Sequence, residues 1–562
     1  MGMKTRPNPW LALSLLLATA CVGFRTPLDD PEGGVAPPGK DNFTIPLSPI
    51  RQLDLVVMID NSPSMAPKQE KLRAQFPKLL EPLKDLSTDG LPDLHLAIID
   101  SDLGTDGAYT SGSCGPKTLP DGTTSFYGDQ GRFQMIGATA CGVTDPNARF
   151  LISSARQPTN FRGDINTVFA CLAGGLGTLG CGEEHQLQAF EWALVQKGIG
   201  NDAQQEQFLR PDAYLGLVFL SDEDDCSAAT NDGMFGVSPS GANLGAESAS
   251  LRCSTRAHQC GGRNLTKAPP GYPTSAAFSA PFSTCAARTD ACPNQSDGAK
   301  SGTDTSVPTS CSPLKDVKRL ADTIKSLKSA PDKLIFVAGI FGWPLDGQDT
   351  LPYKIDLIPN PSTDPSHPEV FDAWPICYDP QHYSATDQTT YNLADVGFGA
   401  VGGLREAAFI DQFGENGSKF SICQSDFSNS LGGIGSALAY RMPNLCLDAK
   451  LVDTDVAVPG LQPDCLVFYL NPVTGPNGQV NHVKGSLPLP ECDAGASPET
   501  VTADCWRLLY DTTRCPGQGQ WVDVVRTAAE IAQTPQIPEG TELSMQCRVC
   551  TPANSAALEC AY

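Results

Sequence analysis

The chain has 562 residues with 39 Lys plus Arg against 63 Asp plus Glu, a formal charge of −24. That balance gives no electrostatic support to nucleic-acid binding and suits a protein that stays soluble outside the cell. With 53 Gly and 47 Pro, much of the chain is expected to be loop, although its length allows a large core.

Residues 1–20 carry Lys4 and Arg6, then Trp10 to Leu17 as an apolar run, then Ala18-Thr19-Ala20 before Cys21. This reads as a signal peptide, too short for a spanning helix. The small residues running into a cysteine resemble a bacterial lipobox, with Ala18 where leucine is commoner. That resemblance implies lipidation of Cys21 as the first mature residue, and Val22 after it points to the outer membrane. No other stretch has the apolar length of a membrane span. Removing Cys21 from 21 cysteines leaves 20, an even number suited to disulfides in an oxidising compartment. Residues 21–49 read as a flexible tether.

The apolar run Leu53-Asp54-Leu55-Val56-Val57-Met58-Ile59 is a buried strand that opens into Asp60-Asn61-Ser62-Pro63-Ser64. Leu72, Phe76, Leu79 and Leu83 follow helical spacing, with a kink expected at Pro77. Leu94 to Ile99 is a second strand and Phe150-Leu151-Ile152 a third. Between them a Gly-rich excursion holds Cys114 and Cys141, expected to pair. Asp100 to Gly107 has some calcium-loop character without the spacing of an EF-hand. Gly177-Thr178-Leu179-Gly180-Cys181-Gly182 precedes a helical stretch with Leu187, Phe190 and Leu194 on one face. His185 reads as an exposed helix-start residue. Leu215 to Leu220 is a fourth strand ending at Ser221-Asp222, and Glu223-Asp224-Asp225 extends it as a solvated acidic turn.

Six cysteines between Cys226 and Cys311 suggest a lobe braced by three disulfides, with fifteen connectivities open. Val317, Leu320, Ile324 and Leu327 then mark a helix, Leu334 to Ile340 a strand, Leu404 to Phe413 a helix, and Phe420 to Cys423 a strand. Phe427, Leu431, Ile434 and Leu438 lie on a last helix. This alternation predicts an α/β fold with a doubly wound, mostly parallel sheet over residues 50–442, carrying insertions at 104–148 and 226–312. Residues 443–562 read as a cysteine-containing, β-rich C-terminal module. In it Cys547-x-x-Cys550 is read as disulfide cysteines rather than a zinc pair.

Asp60-x-Ser62-x-Ser64, then Thr178, then Asp222 after a strand, resembles the metal-ion-dependent adhesion site of the von Willebrand factor type A family. The stretch Phe219 to Cys226 also looks similar to predicted bacterial lipoproteins with type A domains. Pro63 stands where that family commonly has glycine. The resemblance implies a Rossmann-like domain whose Asp60, Ser62, Ser64, Thr178 and Asp222 hold Mg2+, or Mn2+ or Ca2+, and bind a partner protein through a carboxylate. Read singly, Ser62 and Ser64 are also suited to capping a helix, Thr178 to a turn and Asp222 to a cap. No HExxH, GxSxG or phosphate-binding Gly-rich loop appears, so the expectation is a binding module rather than an enzyme. The alternatives are a structural envelope lipoprotein using the fold as scaffold and, further off, a hydrolase.

Overall fold

The computed structural model describes residues 39–560 except 47–51, 85–90, 106–112, 120–121, 155–156, 197–201, 204, 212, 229–248, 266–276, 293–310, 347–350, 360–368, 383–396, 442–445, 448, 475–479, 511–518, 535–540 and 552–557. The signal peptide and Cys21 lie outside the described residues.

The largest sheet has seven strands. They are, in chain order, β2 (Gln52–Ile59), β3 (Asp93–Asp100), β4 (Leu151–Ser154), β5 (Gln157–Pro158), β6 (Tyr214–Leu220), β7 (Ile335–Phe341) and β8 (Gly417–Ser421), while β1 is Gly39–Pro46 in another sheet. Their spatial order is β8-β7-β6-β2-β3-β4-β5. The first five in that order run parallel, and β4 and β5 add an antiparallel edge. Near-continuous apolar runs in β2, β6 and β7 fit strands covered on both faces. Alternation along β2 divides the core: Leu53, Leu55, Val57 and Ile59 face one cluster, and Val56 and Met58 face the other.

On the first face lie α1 (Ala66–Gln75), α2 (Pro77–Lys84), α3 (Ile165–Gly175) and α7 (Ser428–Arg441), through residues such as Leu72, Phe169 and Leu431. On the second lie α4 (Gln186–Leu194), α5 (Val317–Lys325) and α6 (Leu404–Asp411), through Phe190, Ile324 and Phe409. The helix expected to kink at Pro77 is two helices meeting at Phe76, which keeps helical dihedrals, because Pro77 has no N–H to donate to the preceding turn.

The doubly wound, mostly parallel class does not describe the chain and is corrected. Of the seven sheets among the described residues, six are antiparallel with two to four strands each, and the seventh is mixed. Five apolar runs are conspicuous in sequence. The strands elsewhere alternate weakly, and several pair with partners far away in the chain, so the sequence understates how much of the molecule is antiparallel β-structure.

Other expectations change too. Gly39–Pro46, placed in the tether, is an edge strand paired antiparallel with Glu542–Val549, and Phe43 packs on the C-terminal core with Val467, Leu543 and Met545. Cys114 pairs with Cys181 and Cys141 with Cys171 rather than with each other. The excursion is thus fastened to α3 and to the Thr178 loop, contacts that separation along the chain does not reveal. The 226–312 insertion has three disulfides, joining neighbours in sequence: Cys226–Cys253, Cys260–Cys285 and Cys292–Cys311. Cys547 bonds Cys465 and Cys550 bonds Cys560, so neither serves a zinc pair. Between β7 and α6 runs a segment the sequence reading left blank. Its strand Tyr353–Pro359 pairs with Phe278–Ala280 of the insertion, and its later residues close over the ends of β2 and β6.

Candidate cation site

β2 and β6 are adjacent and parallel, so Asp60 and Asp222 emerge at the same end of the sheet, where open α/β sheets place ligands. The Asp60 amide continues the pairing, donating to Leu220 O at 3.0 Å. Asp60 Oδ1 accepts the Ser62 amide at 2.8 Å, and Oδ2 accepts Ser221 Oγ at 2.8 Å. Ser62 and Ser64 Oγ are 3.2 Å apart, and Ser64 Oγ donates to Asp222 Oδ1 at 3.0 Å. Four of the five residues singled out from sequence are therefore joined in one hydrogen-bonded chain.

Neither serine caps a helix. Ser62 precedes a 3-10 turn over Pro63–Met65 without making a side-chain cap bond, and the following helix has Met65 at its N-cap. Pro63 takes the first position of that turn, where a missing N–H costs little and φ is already suitable. Its replacement of the usual glycine is accommodated.

The Thr178 loop is tied to the Asp60 loop at both sides. Gln69 Nε2 donates to Asp60 O at 2.8 Å and to Gly177 O at 3.1 Å, and the Gly180 amide donates to Asn61 O at 2.8 Å. A Cβ on residue 180 would lie 1.9 Å from Asn61 Oδ1, so any other residue would have to displace the Asn61 side chain. Thr178 is half-buried beside the others, but among the described residues its hydroxyl makes none of the bonds that join them.

Asp60 and Asp222 are 0% and 3% exposed, not at solvent-facing strand ends as their position in sequence suggests. Gly397 sits against Pro67 and the Ser64 carbonyl, and the Val401 amide donates to Asp222 O at 3.0 Å. Burial first, and then the Asp222 charge, raise the Asp60 carboxyl to about 6. Burial, followed by the Glu223 charge for Glu184 and the Asp222 charge for Glu223, pushes both well above the usual carboxylate range. Glu184 Oε1, Glu223 Oε2 and Asn61 Oδ1 are buried without a hydrogen-bond partner among the described residues. Among the described residues, the cation paired with this set is Lys68 Nζ, which is ion-paired with Asp222 Oδ2 and donates to Gly399 O at 2.7 Å.

An oxygen-only donor set, excess negative charge and orphaned buried oxygens fit a hard divalent ion. Sequence reasoning missed Lys68, Glu184, Ser221 and the 397–401 segment. For Lys68 there was a signal: it lies four residues before Leu72 on the apolar stripe of its helix, where a lysine needs a buried partner.

Other charged residues are structural. The Glu223-Asp224-Asp225 stretch is not a solvated turn. Asp224 pairs with His258 and accepts the Leu404 and Arg405 amides at the start of α6, while Asp225 pairs with Arg405 at 2.9 Å. These contacts hold the insertion and α6 to the end of β6. His185, expected exposed, is wholly buried, and burial lowers its pKa to about 4. Asp102 in the calcium-like loop is ion-paired with Lys117 at 2.5 Å.

The chain matches no known family profile and none of the curated proteins. Among solved structures it is similar to bacterial pilus adhesins. The adhesive tip pilin of Group B Streptococcus agalactiae aligns at 12% identity and TM-score 0.26, over 92% of this chain and 82% of that one. A pilus adhesin of Streptococcus pneumoniae aligns at 13% and 0.23, over 91% and 58%, and one of Lactobacillus rhamnosus GG in its open conformation at 8% and 0.26, over 92% and 42%. Likenesses this distant carry no functional weight.

Proposed function

We propose that this chain is an envelope protein that binds a partner protein through a divalent cation, at a site resembling the metal-ion-dependent adhesion site of the von Willebrand factor type A family. The observation carrying the reading is the hydrogen-bonded set Asp60, Ser62, Ser64 and Asp222 at the end of two adjacent parallel strands, with more buried carboxyls than cations around it. Asp60, Ser62, Ser64, Asp222 and the neighbouring Thr178 would hold Mg2+ or Mn2+, which when bound would supply positive charge for a partner's carboxylate. The protein's own part is positional. Ser221 and the Ser62 amide fix the Asp60 carboxylate, Gln69 and Gly180 hold the Thr178 loop beside it, and the exposed Leu179 stands at the rim.

Nine disulfides among the described residues support an oxidising compartment. Attachment through an acylated Cys21, in the outer membrane, rests on the lipobox likeness. No helix of the described residues is long and apolar enough to cross a membrane. A second reading has an observation of its own: Lys68 already neutralises Asp222, as it would in a scaffold that needs no metal. Capture of an envelope protein on the immobilised ectodomain separates the two. Capture that needs Mg2+, is lost in EDTA and fails with Asp222→Ala supports the first; capture indifferent to both supports the scaffold.

A further inference from the structure

Lys68 is placed where few lysines are. It is 2% exposed, in the first turn of α1, four residues after Ser64. Its ammonium reaches two groups. One is Asp222 Oδ2, whose companion oxygen accepts Ser64 Oγ at 3.0 Å; the other is Gly399 O at 2.7 Å, in the segment lying over the site. One turn further along the helix, Lys71 makes a parallel connection, ion-pairing with buried Asp379 and donating to Gln424 O at 2.9 Å. Two lysines of one helix thus reach Asp379 and Gly399, but only Lys68 does so while pairing with a carboxylate of the site.

We propose that Lys68 is the built-in counter-cation of this site, and that it and a divalent ion compete for Asp222. The inference rests on the cation-site reading and adds what sets its affinity. A buried carboxylate between an ammonium and a divalent ion would bring two positive charges within a few ångströms in a medium of low polarity, where repulsion is poorly screened. One of them must leave. Lys68 has a flexible four-carbon stem, whereas Asp222 is fixed by the strand end and by the Val401 amide. Ion binding therefore turns the ammonium outward and breaks its bond to Gly399 O. The segment over the site loses a tether, and the site opens toward a partner only when the ion is present. In the absence of the ion, the lysine keeps Asp222 neutralised and the site covered.

Mn2+ binding by calorimetry to the mature wild-type chain, Lys68→Met, Lys68→Arg and Asp222→Ala tests this. Lys68→Met is expected to bind Mn2+ at least roughly tenfold more tightly than wild type, and Lys68→Arg to stay near wild type. Equal or weaker binding by Lys68→Met, with binding still lost in Asp222→Ala, overturns the role of Lys68 and leaves the cation site standing. Absence of binding in wild type and Lys68→Met alike overturns both. Amine labelling of wild type, read by mass spectrometry, needs no variant. Lys68 should be unreactive in EDTA and labelled in saturating Mn2+; a Lys68 that stays protected while Mn2+ binds contradicts the competition.

Discussion

Two aspartates of one strand, both wholly buried, have opposite surroundings. Asp54, near the start of β2, accepts the Arg210 amide and guanidinium at 2.8 Å each, with Lys328 Nζ at 3.6 Å and His95 Nδ1 at 3.7 Å. Asp60, at the end of the same strand, is held by a serine hydroxyl and an amide and faces further carboxyls. A buried charge matched by fixed cations is a fastening. One left unmatched, at an end where loops converge, is a place for a ligand.

The sharpest way to break this contrast is to neutralise each aspartate in turn. Asp54→Ala should cost about 3–5 kcal/mol, because it removes the buried carboxylate that Arg210 and Lys328 share. Asp60→Asn in EDTA should cost no more than about 1 kcal/mol, since it relieves repulsion with Asp222 while keeping an acceptor for its neighbours. Urea unfolding of the two variants checks both values, and similar losses would erase the distinction.

A smaller effect probes the loops at the unmatched end. Replacing Cys114 and Cys181 by serine should cost about 2–4 kcal/mol and also weaken Mn2+ binding. The bridge adjoins the Thr178 loop, and the Cys181 amide donates to Asp102 Oδ2 at 3.0 Å. The same change at Cys492 and Cys505, in the C-terminal module, should lower stability and leave Mn2+ affinity alone. Gly180→Ala is expected to cost about 1–3 kcal/mol by forcing Asn61 away, with weaker Mn2+ binding as the accompanying change. Thermal unfolding and calorimetry on the same samples read both.

β2, β6 and β7 were legible because each is a nearly continuous apolar run, and Asp60, Ser62, Ser64 and Asp222 because they follow two of those runs; the last parallel strand, expected at Phe420–Cys423, is Gly417–Ser421, whose GSKFS carries no such run. Gly39–Pro46 was not legible, since GKDNFTIP lacks strand-like alternation and its pairing partner lies some 500 residues away. The cysteine partners were hidden for the same reason, chain separation being a poor guide to distance. Glu184 marks a different limit. Its sequence context shows a charge at the start of a helix, and only the fold shows that it is enclosed.

Calorimetry of Mn2+ binding to the wild-type chain and to Asp222→Ala tests most directly that the unmatched end of the sheet is a cation site. Saturable binding of one ion to wild type, lost in Asp222→Ala while Asp523→Ala in the C-terminal module binds as wild type does, is the predicted result. Equal affinity in wild type and Asp222→Ala would contradict it.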